Sequence, residues 1–263
     1  MKKLISFLIL VYATFVIFPF SVFSQEKDLV LHFVVQTNFL KSNYDLFITK
    51  ELSLWKEISN PTEIEIKSNY VPSDNYKRSC LFKDFQNNEM LTDYSILGVD
   101  FYMKDSIRIQ KWTLLNETEE YLGYECKKAI TEFRGRKYNV LYTTKIPINN
   151  GPWKFGGLPG MILKISNEHE GELYKMECIG IDFHDINLKE QYDFYLKKNK
   201  KKEFKCWSDF KSDFDFFLKK YIKSLQSDME SEDDSGFSIQ LTVENYLEIF
   251  SKEIQTDGII LDF

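Results

Sequence analysis

The sequence predicts an α+β fold: a curved, mostly antiparallel β-sheet built as a meander, with C-terminal helices packed on one face. Three observations predict it. Between Leu29 and Phe183 the apolar residues alternate or run in short β-branched and aromatic stretches, the pattern of strands. From Ser208 onward their spacing changes to that of amphipathic helices. Hydrophobic residues make up 43% of the 263, with 23 Phe and 15 Tyr, which is ample for one sizeable core.

The first element is a leader. Lys2 and Lys3 precede an apolar run from Leu4 to Phe23, and Val22-Phe23-Ser24 offers a small-residue exit, the three parts of a secretory signal. The run is also just long enough to anchor in a bilayer, but Pro19 and the exit favour cleavage after Ser24. The expected product is an exported, periplasmic or secreted chain. Residues 25–263 are then expected to form one domain, strand-rich over 29–183 and helical over 208–255. No later segment is apolar for long enough to form a transmembrane helix. The leader holds two of the 34 basic residues and none of the 40 acidic ones, so the exported chain is more acidic than the formal −6. Nucleic acid is therefore not an expected partner.

Along the body, "LVLHFVVQTNFL" is β-branched and aromatic. "YNVLYTT" sets Tyr138, Val140 and Tyr142 against Asn139, Leu141 and Thr143, with apolar bulk on both faces. Turns are expected at Asn116–Glu119, at Arg134-Gly135-Arg136 and at "NEHEGE". A first helix follows Ser208 through Phe210, Phe214, Phe217, Leu218, Tyr221, Ile222 and Leu225. A second fits Val243, Tyr246, Leu247, Phe250 and Ile254, capped by Thr242. The run Lys197–Lys205 reads as a solvated linker that presents positive charge, which could meet anionic lipid or another acidic surface.

The chain lacks the zinc-helix, nucleophile-elbow, phosphate-loop and EF-hand spacings. His32, His169 and His184 are its only histidines. "DFHD", Asp182–Asp185, offers too few ligands for a hard cation and reads as a surface turn. No metal or cofactor is expected. Four cysteines in an exported chain suggest disulfides, Cys80, Cys126, Cys178 and Cys206 being the candidates. A bridge from Cys126 to Cys178 would staple two strands. Arg134 and Arg136 flank Gly135, where paired guanidinium groups could take a carboxylate or phosphate, or simply face solvent from a tight turn.

The most distinctive stretch is "GPWKFGGLPGMI", Gly151–Ile162, with four glycines and two prolines in twelve residues. Pro159 and Gly160 suit the two central positions of a type II turn. Gly156 and Gly157 allow a close backbone approach, and Trp153 and Phe155 either anchor the loop internally or present it to a ligand or partner. No strand-to-helix context or Lys-Ser/Thr follows, so the loop is not a phosphate cradle.

"FGGLPGMI" resembles the hallmark of the GLPGLI family of exported bacterial proteins, with Met161 in place of the usual Leu. "GYECKKA", "FRGRKY", "YTTKIPINNGPWKF" and Trp112 extend the resemblance over roughly 105–167. The resemblance implies an exported protein and supplies no catalytic residues. The expectation is a non-enzymatic binding or accessory protein of the cell envelope, partnered by an envelope protein or an apolar ligand. Two alternatives stay open: a half-barrel carrier of an apolar ligand, and a hydrolase that works through two carboxylates.

Overall fold

A computed structural model describes residues 28–37, 41–58, 80–96, 99–107, 110–133, 136–167 and 174–229, together with three short strands near the C-terminus. The leader, Arg134, Gly135, His169 and residues 243–253 of the expected second helix lie outside the described residues.

Eleven strands form one sheet. They are β1 (Asp28–Thr37), β2 (Lys41–Ile48), β3 (Leu52–Ile58), β4 (Cys80–Asp84), β5 (Glu89–Ile96), β6 (Val99–Ser106), β7 (Thr113–Tyr121), β8 (Tyr124–Phe133), β9 (Arg136–Thr143), β10 (Met161–Asn167) and β11 (Tyr174–His184). Their order is β6-β5-β4-β3-β2-β1-β11-β10-β9-β8-β7. The fold thus holds two meanders, joined where β1 pairs antiparallel with β11, and every neighbouring pair is antiparallel. The turn expected at Asn116–Glu119 is instead a register shift within β7, between Leu114 and Thr118, so the strand bulges rather than reverses.

The middle of the sheet is buried on both faces, which explains why its strands carry apolar residues at odd and even positions. One face holds Leu31, Phe33, Leu46, Trp55 and Leu81, packed with Tyr138, Val140, Phe155, Leu158 and Ile165. The other holds Val30, Phe47, Leu54, Phe82 and Leu91 beneath Leu188, Tyr192 and Tyr195 of a helix.

That helix, α1 (Leu188–Lys198), is not expected from the sequence, and its last two residues open the run Lys197–Lys205 read as a solvated linker. Asn187 caps it by accepting from the Glu190 amide at 3.2 Å, and its amide group reaches the Glu190 carboxylate at 2.9 Å, a reciprocal capping arrangement. Its buried residues Leu188, Tyr192 and Tyr195 recur at i, i+4 and i+7.

The second helix, α2 (Trp207–Met229), is the one expected from Ser208, and it starts one residue earlier, with the Cys206 carbonyl accepting from the Phe210 amide. Phe210, Phe214 and Phe217 gather edge-on around Phe101 of β6 at 5.5, 6.0 and 5.7 Å. Thr242 and Ile254, expected to bound a further helix, lie instead on strands β12 (Gln240–Thr242) and β13 (Ile254–Thr256), which flank β14 (Ile259–Asp262) in a three-stranded sheet.

The disulfides expected from cysteine number are not formed, for all four cysteines are free. Cys126 lies on β8 and Cys178 on β11, with β9 and β10 between them in the sheet. Each thiol turns to a carbonyl of its own strand or the adjoining turn: Cys126 to Tyr124 and Cys178 to Gly180. Burial pushes both thiols up, to about 11 and about 12. Thiol titration without reductant should therefore count four thiols in denaturant but only one, Cys206, reacting quickly in the native protein. A count of two or none in denaturant would contradict the free state.

Candidate functional site

From Thr143 the chain does not run straight into β10. Residues 144–160 fold over the first face of the sheet and insert their aromatic rings into it. Trp153 is 5% exposed and Phe155 fully buried. Phe155 packs against Tyr138 at 4.9 Å, Trp153 at 5.5 Å, Phe133 at 5.6 Å and Trp112 at 6.4 Å. The rings anchor the loop and are not displayed by it. Trp153, Phe155 and Leu158 of the loop are part of the core on this face of the sheet.

Lys83 locks this plug. On β4 it points to the same face as Leu81 and is 2% exposed. Its ammonium donates to Asn150 Oδ1 at 2.8 Å and to the carbonyls of Phe155 at 2.8 Å and Gly151 at 3.2 Å. Among the described residues no carboxylate joins these partners, and burial pushes the ammonium down to about 7. A second clamp comes from the segment before β7. Gln110 donates to the Lys154 carbonyl and accepts from the Gly156 amide, while the Trp112 indole donates to the Gly156 carbonyl at 2.9 Å.

The reversal at Pro159 and Gly160 is tighter than the expected type II turn. The Gly160 amide donates to the Leu158 carbonyl at 2.8 Å, an i to i+2 bond, and the Met161 amide goes to Ile146 at 3.0 Å instead of closing a four-residue turn. Proline's fixed φ makes this an inverse γ-turn centred on Pro159. Gly160 has φ +156, and a Cβ there would lie 2.1 Å from the Thr143 carbonyl oxygen. Gly157, at φ +92, also uses glycine's freedom, and its amide bonds the Asn149 side chain. Gly156 is half-buried between the clamps and Pro159 is exposed.

The structure places the other sequence-derived candidates apart from this loop's exposed tip. Arg136 is buried at the start of β9, where Phe133 is its partner in β8, so its guanidinium does not project from the hairpin to receive a ligand. "DFHD" is not a surface turn, for Asp182 and His184 belong to β11. Asp182 Oδ2 lies 3.0 Å from His32 Nε2 and accepts from it when that nitrogen is protonated, and the buried Asp45 meets His32 Nδ1 at 2.7 Å. The Asp45 hydrogen bond raises the imidazole's pKa; burial opposes it and Asp182 adds to it. His32 thus bridges three strands between two carboxylates that favour its protonated form, and it is a site that sequence reasoning missed. The available signal was a histidine set among Leu31 and Phe33 in a strand.

A cleft of about 360 Å³ opens on the opposite face, between α1 and the β3–β6 end of the sheet. Asp84, Gln86, Asn87, Glu89, Lys104 and Tyr192 contribute its polar lining. Burial raises the Asp84 pKa, but the Asn87 and Gln86 amides and the Tyr192 hydroxyl outweigh it and hold the carboxyl below its usual range. Among the described residues, no group of three or more His, Cys, Asp or Glu is arranged to hold a metal ion.

Comparison with known proteins gives one family model, described as "N-glycanase peptide, N-terminal domain", which matches residues 83–174, less than half of the chain. The matched span begins at Lys83 and contains the whole plug. No curated protein matches. Among solved structures, PNGF-II is similar at 16% identity and a TM-score of 0.44, over 61% of this chain and 28% of that one. MucB in complex with MucA(peri) is similar at 9% and 0.35, over 63% and 53%. LprF from Mycobacterium bovis is similar at 10% and 0.25, over 58% and 84%. At these TM-scores the likenesses carry no argument about function. The chain spans little more than a quarter of PNGF-II, and what it shares with the family model is the segment from Lys83 to Tyr174.

Proposed function

We propose that the chain is an exported, non-enzymatic binding or accessory protein of the cell envelope, of the GLPGLI type, folded as one α+β domain after its leader. The observation that carries this reading is the fate of the "FGGLPGM" segment. In the whole stretch 151–162 the Trp153 and Phe155 rings are buried, the Gly151 and Phe155 carbonyls hold Lys83, and Gly157 and Gly160 serve backbone geometry, so the most distinctive part of the sequence is spent on architecture. Such a plug stabilises a platform. The place left open for a ligand is the cleft beside α1, where carboxylates, amides and lysines face Leu52, Leu91, Leu196 and Phe204, a mixed lining suited to a small molecule with both a polar and an apolar side.

The match to an N-terminal domain of an N-glycanase agrees with an accessory role, since it names a part of that enzyme and not the whole. The processed protein, incubated with an N-glycosylated peptide and followed by mass spectrometry, should release no glycan. Release by the chain alone would overturn the reading. Native mass spectrometry should likewise show no co-purified lipid, because the loop packs its own Trp153, Phe155 and Leu158 into the core of the first face; an acyl-chain ligand retained at one per chain would favour the carrier instead.

A further inference from the structure

The lysines after α1 form a built feature. Lys197 and Lys198 end the helix, and the chain then turns through Lys200, Lys201 and Lys202, all five exposed. Asn199 is buried beneath them, its amide bonded to the Tyr195 carbonyl at 3.1 Å and its carbonyl to the Lys202 amide at 2.8 Å. Tyr195 packs on Phe82 at 5.1 Å and on Phe204 at 6.3 Å. Lys205 pairs with Met103 on the edge of β6. The turn is therefore fixed to the sheet at both ends, which a solvated linker is not.

Helix polarity accounts for Lys197 and Lys198, which lie in the last turn, but not for the three lysines beyond it. Phe194, one turn before Lys197 and Lys198, is 49% exposed on the same side of the helix. An aromatic ring beside clustered lysines, on an otherwise acidic chain, combines the two attractions that hold proteins at bilayer surfaces: apolar insertion and positive charge near anionic headgroups.

We propose that the turn Lys197–Lys202, with Phe194, docks on an anionic lipid bilayer. The charge is all lysine, a point charge suited to a diffuse surface, with no arginine to grip single phosphates in fork geometry. A bilayer can take up the exposed Phe194 ring as well as pair with the lysines, whereas a polyanion offers the ring nothing to enter. This surface lies outside the cleft, so its test is independent of the function proposed above.

The test is co-sedimentation of the processed protein, from Gln25 on, with phosphatidylcholine vesicles and with vesicles of roughly three parts phosphatidylcholine to one of phosphatidylglycerol. The protein should pellet with the second and not the first. K197Q/K198Q/K200Q/K201Q should weaken that partition about tenfold or more, and Phe194→Ser should weaken it further at high salt. The control K219Q/K220Q/K223Q removes three exposed lysines of α2 and should leave the partition unchanged. Circular dichroism on each variant should show an unaltered fold, as the substituted side chains are exposed. The proposal is overturned by no pelleting with anionic vesicles, by an equal loss in the α2 control, or by retention on immobilised heparin without vesicle binding.

Discussion

Gly160→Ala is expected to destabilise the protein by about 3–5 kcal/mol, a severe effect for one methyl group. The new Cβ would sit 2.1 Å from the Thr143 carbonyl oxygen and 2.7 Å from its carbonyl carbon. Both are backbone atoms of β9, so neither can swing aside as a side-chain tip can. The γ-turn at Pro159 would have to open, and with it the Met161 amide's bond to Ile146 that starts β10. Chemical denaturation followed by tryptophan fluorescence reads the effect directly, since Trp153 lies in the plug. Gly123→Ala is the matched control. It too has positive φ, +75, but nothing lies within 4 Å of its Cβ position, so only the smaller backbone strain should appear.

Lys83→Met should cost about 2–3 kcal/mol near pH 8, because it leaves the Phe155 and Gly151 carbonyls without the lysine donor and Asn150 Oδ1 with the Gly151 amide in place of two partners. Its pH dependence separates it from an ordinary packing defect. Below pH 7 both the folded and the unfolded chain carry the ammonium, and the folded state bears the full cost of burying it. Between about 7 and the ordinary lysine value of 10.5, the unfolded chain binds a proton that the folded chain does not. The stability supplied by Lys83 therefore rises with pH through that window. Unfolding free energies of the wild type and Lys83→Met, measured from pH 6 to 10, should diverge as pH increases, other titrations cancelling in the difference. A gap that stays constant, or narrows, would show that Lys83 is not buried with its charge uncompensated.

Much of the architecture was legible in the sequence because it depends on period alone. The alternation in "YNVLYTT" and the phenylalanine spacing after Ser208 each named their element. The α1 helix was hidden because "LKEQYDFYLKK" buries only Leu188, Tyr192 and Tyr195 among charges, an apolar stripe too thin to mark a helix against the lysines that follow. The backbone role of Pro159 and Gly160 was legible, since proline and glycine carry their geometry with them; the kind of turn was not, because the Ile146 carbonyl captures the Met161 amide.

The site residues divide in the same way. A lysine between Phe82 and Asp84 in an alternating strand reads as a solvent-facing residue. What buries Lys83 is a loop 67 or more residues downstream, and no local pattern reports that. His32 and Asp45 meet because β1 and β2 pair in a particular register, and Asp182 arrives from β11 at a separation of 150 residues. Whether Trp153 and Phe155 face water was equally beyond the sequence, because burial belongs to the surface that covers a ring, here β4, β8, β9 and the segment at Trp112.

The central claim is that the "GPWKFGGLPGMI" segment is a locked internal plug and not a lid or recognition loop. Native-state hydrogen exchange at the amides of Phe155, Gly156, Met161 and Ile162 tests it most directly, since all four are bonded within the plug or to its clamps. These amides should exchange as slowly as those of β1 and β9, opening only with global unfolding. Exchange on the scale of the exposed loop residues, with the strands still protected, would mean that the segment opens by itself, and the claim would fail.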